Sequence, residues 1–120
     1  MATIAGINYK KVIATGVLLN DTYDLVPFSA GGQAQEFLIV EADTTLGPVV
    51  INLPDIINFG GVYNTSIKII ALTGATNSVT INTTGGNFIG SLSTTALNTD
   101  NSNIVLNPVG AENWSAVISL

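Results

Sequence analysis

Histidine, cysteine and arginine are all absent from this chain, and lysine occurs only at 10, 11 and 68. That removes imidazole, the usual general base near neutral pH, and the thiolate and imidazole ligands of soft metals. Nucleophilic catalysis needs a nucleophile beside a base. Serines are present, but only a lysine is left to activate one. Lys68 falls in a strand-like stretch, where lysine ordinarily guards an edge or faces solvent. Paired carboxylates do glycosidase chemistry when they oppose each other across a cleft. Glu41 and Asp43 share one side of a strand, and Asp21 and Asp24 are close in sequence. Nothing marks either pair as opposed, and Asp21 and Asp24 read as turn residues. The run Asn98, Asp100, Asn101 and Asn103 is rich in oxygen donors of the kind Ca²⁺ takes. It holds one carboxylate and no EF-hand spacing, so it reads as a loop whose Asn side chains cap its own backbone. The glycine pairs do not link a strand to a helix as phosphate loops do, and they read as turns. The Asn-X-Ser/Thr sequons at Asn20, Asn64, Asn82 and Asn113 read as a product of abundant Asn, Ser and Thr. No catalytic residue, cofactor site or metal ligand is assigned, and the chain is read as a non-enzyme.

Composition bounds what such a chain can be. One domain is expected from 120 residues, with about two-thirds of the unfolded surface buried on folding. Charged residues are 9% of the chain, against roughly 25% in an average soluble domain. Asn, Thr and Ser supply the polar surface, with 35 residues between them. A chain this apolar and charge-poor is expected to hide surface against copies of itself or a partner. A net charge of −5 opposes nucleic acid and anionic membrane alike. No apolar run approaches the ~20 residues of a membrane-spanning helix. Met1 to Gly6 lacks the basic and apolar segments of a signal peptide, so synthesis and assembly in a cytoplasm are expected.

The periodicity is that of strands. Trp114, Ala116, Ile118 and Leu120 alternate with Ser115 and Ser119, burying one face and wetting the other. Ile67, Ile69 and Ala71 alternate likewise, as do Val49, Ile51 and Leu53, then Val79 and Ile81, then Ile104 and Leu106. Phe37 to Val40 is apolar throughout and is expected to be covered on both faces. An earlier strand is expected from Lys11 to Leu18. Turn chemistry recurs at Asn20-Asp21, Gly31-Gly32, Gly47-Pro48, Gly60-Gly61, Thr73-Gly74, Gly85-Gly86 and Asn107-Pro108. A short helical turn fits only at Pro54 to Phe59. The expected fold is all-β, a small antiparallel sandwich or prism of about 8–10 short strands. No exact internal repeat is visible. The five aromatics Phe28, Phe37, Phe59, Phe88 and Trp114 are assigned to the core.

From Phe37 onward the chain resembles an all-β module of bacteriophage virion and tail-fibre proteins. The resemblance is carried by Phe37-Leu38-Ile39-Val40-Glu41-Ala42-Asp43-Thr44-Thr45-Leu46-Gly47-Pro48 and by Val49-Val50-Ile51-Asn52-Leu53-Pro54. It continues through a variable segment from Asp55 to Gly61, Ile67-Lys68-Ile69, the Gly74 turn and Ser78-Val79-Thr80-Ile81-Asn82. Gly85, Phe88-Ile89-Gly90 and a last hairpin from Ile104-Val105-Leu106 to Trp114 complete it. It spans residues 37–120, and residues 1–36 depart from it as a strand or arm region that either joins the same core or stands apart. The resemblance implies an assembling, non-catalytic subunit, often trimeric.

The expected role is therefore a structural protein on the surface of a phage particle, most simply a capsid decoration or auxiliary head protein. Its partners would be copies of itself, as a homotrimer, and the major capsid protein or other virion proteins. The alternative is the knob of a head or tail fibre that touches a host glycan or surface protein receptor, with Tyr63 and Asn64 as a glycan contact. Interface residues are expected at Ile4, Ile7 and Tyr9 of the N-terminal region and at Phe59 and Tyr63 of the variable segment.

Overall fold

A computed structural model describes residues 7–15, 21–24, 35–59, 65–110 and 112–120. They form ten strands: β1 (Ile7–Thr15), β2 (Asp21–Asp24), β3 (Gln35–Asp43), β4 (Val49–Asn52), β5 (Thr65–Ala71), β6 (Val79–Asn82), β7 (Phe88–Ile89), β8 (Thr94–Leu97), β9 (Ser102–Pro108) and β10 (Asn113–Ser119). One turn of 3-10 helix, Ile56–Phe59, follows β4 where the short helical turn was expected. The strands make two sheets. Sheet A has the order β1-β3-β5-β9-β10-β7, and sheet B the order β2-β4-β6-β8.

The all-β, two-sheet architecture is the one read from the alternation. Strand direction is where the antiparallel expectation needs correcting, since both sheets are mixed. β1, β3 and β5 run parallel in sheet A, and β2, β4 and β6 run parallel in sheet B. The chain crosses from one sheet to the other and back, so that each circuit stacks on the one before. Ile7 lies opposite Gln35 and Asp21 opposite Val49, both 28 residues on. In the next circuit Glu36 lies opposite Thr65, 29 residues on, and Val49 opposite Val79, 30 residues on. Three rungs of a coil thus underlie a sequence with no exact repeat. The far end reverses direction. β8 pairs antiparallel with β6, β9 with β5, and β10 with β9.

The inward positions of both sheets meet in one core. Leu38, Val40, Ala42, Ile67, Ile69, Ala71, Ile104, Leu106 and Trp114 come from sheet A, and Val49, Ile51, Val79, Ile81 and Leu97 from sheet B. Register stacks like on like: Val40 beside Ile69 beside Ile104, and Leu38 beside Ile67 beside Leu106. Each such buried aliphatic side chain contributes about 1.5–3 kcal/mol. At the corner toward sheet B the column narrows to Ala42, Ala71 and Ser102. The backbone is close there. A Cβ on Gly74 would sit 2.6 Å from the Thr99 carbonyl oxygen.

Several local expectations are corrected. The early strand is Ile7–Thr15, beginning before Lys11. Asp21 and Asp24 lie in a strand, because its parallel pairing with Val49–Asn52 outweighs their turn preference. Leu38 and Val40 are buried while Ile39 between them is only partly covered, so that strand is buried on one face. Phe88 is 42% exposed, whereas Trp114 is fully in the core. Lys68 guards no edge. Its strand is central, and its outward side chain stands between Ile39 and Val105 in the register.

Candidate functional site

The polar side chains with defined partners gather at the corners where the chain changes sheets. At the first corner Thr44 is fully buried. Its hydroxyl donates to the Asn77 carbonyl at 2.6 Å, with the Thr73 carbonyl at 2.8 Å. Its amide donates to the Thr73 hydroxyl at 2.8 Å, and its carbonyl accepts from the Asn77 side-chain amide at 2.8 Å. Thr44 follows Asp43 as Thr73 follows Leu72, one rung apart, so the staple ties successive rungs together. A buried polar group is tolerated only when paired in this way.

The carboxylates at these corners are engaged by backbone and hydroxyl donors. Asp43 accepts the Thr45 hydroxyl at 2.6 Å and the Thr45 amide at 3.0 Å. The Thr45 hydroxyl, then its amide, hold the Asp43 carboxyl below the usual 3.8. A small opposing effect of burial and a supporting bond from Thr73 complete the balance. Asp100 accepts the Ala75 amide at 3.0 Å. That carboxylate caps a neighbouring loop, and within its own loop it is Ser102, not one of the asparagines of the run, that donates to the Thr99 carbonyl at 2.6 Å.

The second corner centres on Asn87, which is 2% exposed. Its side-chain oxygen accepts the Ile56 amide at 2.9 Å, and its amide donates to Asp55 at 3.2 Å and to the Gly85 carbonyl at 3.3 Å. Asp55 also accepts the Ile57 amide at 3.2 Å. Gly85 has a positive φ of 65°, and a Cβ there would overlap the Asp55 carboxylate. Only glycine meets both demands. On the outer face of sheet B, Thr94 donates to Asn82 at 2.7 Å, and Asn82 donates to Asn52 at 3.4 Å.

This pattern is cohesive chemistry. Asp43, Asp55 and Asp100 each hold a turn, and each takes its hydrogen bonds from amides and hydroxyls. Among the described residues no three His, Cys, Asp or Glu side chains gather as a metal would need. Glu41 and Asp43 do share the outer face of one strand. Between its polar residues the surface also carries large apolar side chains. Leu46, Ile57, Phe88, Leu92, Val109, Val117, Ile118 and Leu120 are each at least 42% exposed. Phe88 stands beside Asn113 in the register, close to the turn that holds Val109. Val117, Ile118 and Leu120 lie on or just beyond the last strand.

Of the residues expected at an interface, Ile7 and Tyr9 lie on β1, and Phe59 closes the 3-10 turn. Ile4, Tyr63 and Asn64 lie outside the described residues. The exposed C-terminal strand escaped the sequence reading. Its alternation promised one buried face, whereas only Trp114 is fully covered. Its lack of any charge was the signal that marked it.

Fold and surface together define a class, an all-β two-sheet domain whose corner polar groups hold the fold and whose mainly Asn, Thr and Ser surface also carries exposed apolar side chains. No protein-family model matches the sequence, and comparison with curated proteins finds no match.

Proposed function

We propose that the chain is a structural protein of the surface of a bacteriophage particle, most simply a decoration or auxiliary protein of the head. It would act in multiple copies, three by the resemblance, assemble in the host cytoplasm, and bind the major capsid protein or another virion protein. The observation that supports this best is the union of an uncharged strand that exposes Val117 and Ile118 with the carboxylates of Asp43, Asp55 and Asp100 already engaged in holding turns. Such a surface suits permanent protein contact. A protein that binds only the assembled shell stabilises it by mass action. Head shells lacking this protein are expected to rupture at lower temperature and weaker osmotic shock than complete shells, and to recover when the purified chain is added back. Equal resistance of the two would refute the reading.

One observation favours a fibre knob as a second reading. Phe88, 42% exposed, presents an aromatic ring next to the buried Ile89 that bridges Leu92, as a contact to a host glycan would require. Copy number on the particle separates the two. Hundreds mean decoration, and a few dozen mean a fibre. Adsorption of phage blocked by the purified chain would also mean a knob.

A further inference from the structure

We propose that β10 is an association edge on which a second copy of this chain lays its own β10 antiparallel, joining two six-stranded sheets into one. This deepens the multi-copy reading above by naming the contact, and it holds whether or not the chain sits on a virion. β10 pairs with β9 from Trp114 to Ser119, but with β7 only at Asn113 and Trp114. Along Ser115–Ser119 the other edge has no strand beside it among the described residues. Backbone donors and acceptors in that row are satisfied best by another extended strand.

Natural edges are blunted by lysine, proline or a bulge. Residues 113–120 contain no charged residue and no proline. The other outer strands differ, and β7, last in the order of sheet A, spans only Phe88–Ile89. β1 carries Lys10 and Lys11, and β2 carries Asp21 and Asp24, so a copy pairing there would bring like charges together. β8 exposes only Thr94 and Ala96 fully, offering little apolar surface. β10 exposes Val117 by 64% and Ile118 by 47%, and Leu120 beyond it by 89%.

The strand is also its own complement. A two-fold axis through Val117 sets Val117 opposite the second copy's Val117, Ser115 opposite its Ser119, and Ala116 opposite its Ile118. Hydroxyl then meets hydroxyl and apolar meets apolar, which are favourable cross-strand pairs. Two chains of net charge −5 meet here with no carboxylate within either strand. Such an isologous contact closes at two chains. If three chains also gather through other surfaces, the assembly closes at six.

The test is the solution mass of the full chain by light scattering, for wild type and for Val117→Lys. Val117 is largely exposed, so the lysine is expected to leave the circular dichroism of the folded chain unchanged, while loss of the contact lowers the melting temperature only modestly. The wild type should show a mass of two chains, or six, and Val117→Lys should halve it. The sequence has no cysteine, so Val117→Cys gives a second readout. Opposed residues of an antiparallel pair lie about 4.5–5.5 Å apart at Cα, within the span of a disulfide. Diamide should convert that variant to a covalent dimer much faster than it does the exposed control Thr76→Cys. A monomeric wild type, a mass indifferent to Val117→Lys, or equal crosslinking of the two cysteine variants would each overturn the proposal. A trimer unchanged by Val117→Lys would sink the edge contact and leave the three-copy reading standing. Two chains falling to one would do the reverse.

Discussion

Thr44 is a hydroxyl at 0% exposure in a corner where two rungs must be tied, and it lies against the Thr73 and Asn77 carbonyls. Replacing it with valine keeps the shape and deletes the donor. Thr44→Val is expected to cost about 1–3 kcal/mol, since the hydroxyl's hydrogen bonds are lost and a methyl is left against carbonyl oxygens. Urea denaturation measures this, and Thr44→Ser should recover most of the loss. Asp43 acts at the surface of the same corner, and its effect is tied to pH. Its folded pKa is lowered below 3.8 by the Thr45 hydroxyl and amide, so folding favours the ionised form. The resulting stabilisation is complete above the unfolded value and disappears as pH falls through the lower folded value. The urea midpoint of wild type should therefore exceed that of Asp43→Asn at pH 7. The gap should close below about pH 4, near the ordinary aspartate range.

At the scale of the strand, inward and outward positions carry different weights. Ile69 is fully buried between Val40 and Ile104, where neighbours on both sides cannot collapse into a vacated space. Ile69→Ala is expected to destabilise the fold by about 2–5 kcal/mol, as large-to-small changes in a packed core do. The next residue, Ile70, points outward and is only partly covered. Ile70→Ala should cost well under half as much in the same denaturant titration. Parity between the two would mean that the outer face of sheet A is a second buried layer. Lys68, central in that outer face, keeps it wet and argues against such a layer.

The whole molecule combines a parallel coil with an antiparallel end. The rungs pair residues 28 to 30 apart, and β9 and β10 close over the last rung. Such non-local pairing requires loop closure before any strand contact forms, so refolding from urea is expected on the millisecond-to-second scale of non-local β proteins. Stopped-flow Trp114 fluorescence would follow it, and microsecond refolding would contradict the topology. The reversal of direction at β8, β9 and β10 ends the coil as a cap does in repeat architectures. It also leaves the uncharged β10 paired on its far side, among the described residues, only by the short β7 at Asn113 and Trp114. Proposed assembly and fold are connected there, because the strand that closes one copy is the strand offered to the next.

The alternation of Ile67, Ile69 and Ala71, of Val49 and Ile51, and of Val79 and Ile81 was enough to place most strands and their buried residues. Period two follows from the pleat alone. The same alternation serves parallel and antiparallel pairing equally, so it held no information on direction. Nor did it show the rungs. Stacking Val40 on Ile69 on Ile104 demands matched burial and volume, not matched letters, and the circuits differ by one or two residues in length. Asp21 and Asp24 were misread for a related reason, since their strand exists through its pairing with Val49–Asn52. The absence of histidine, cysteine and arginine bounded the chemistry from composition alone. Which carboxylates hold turns, and that β10 beyond Trp114 has a strand on one side only among the described residues, depends on contacts between residues tens of positions apart. Those contacts exist only once the chain has coiled.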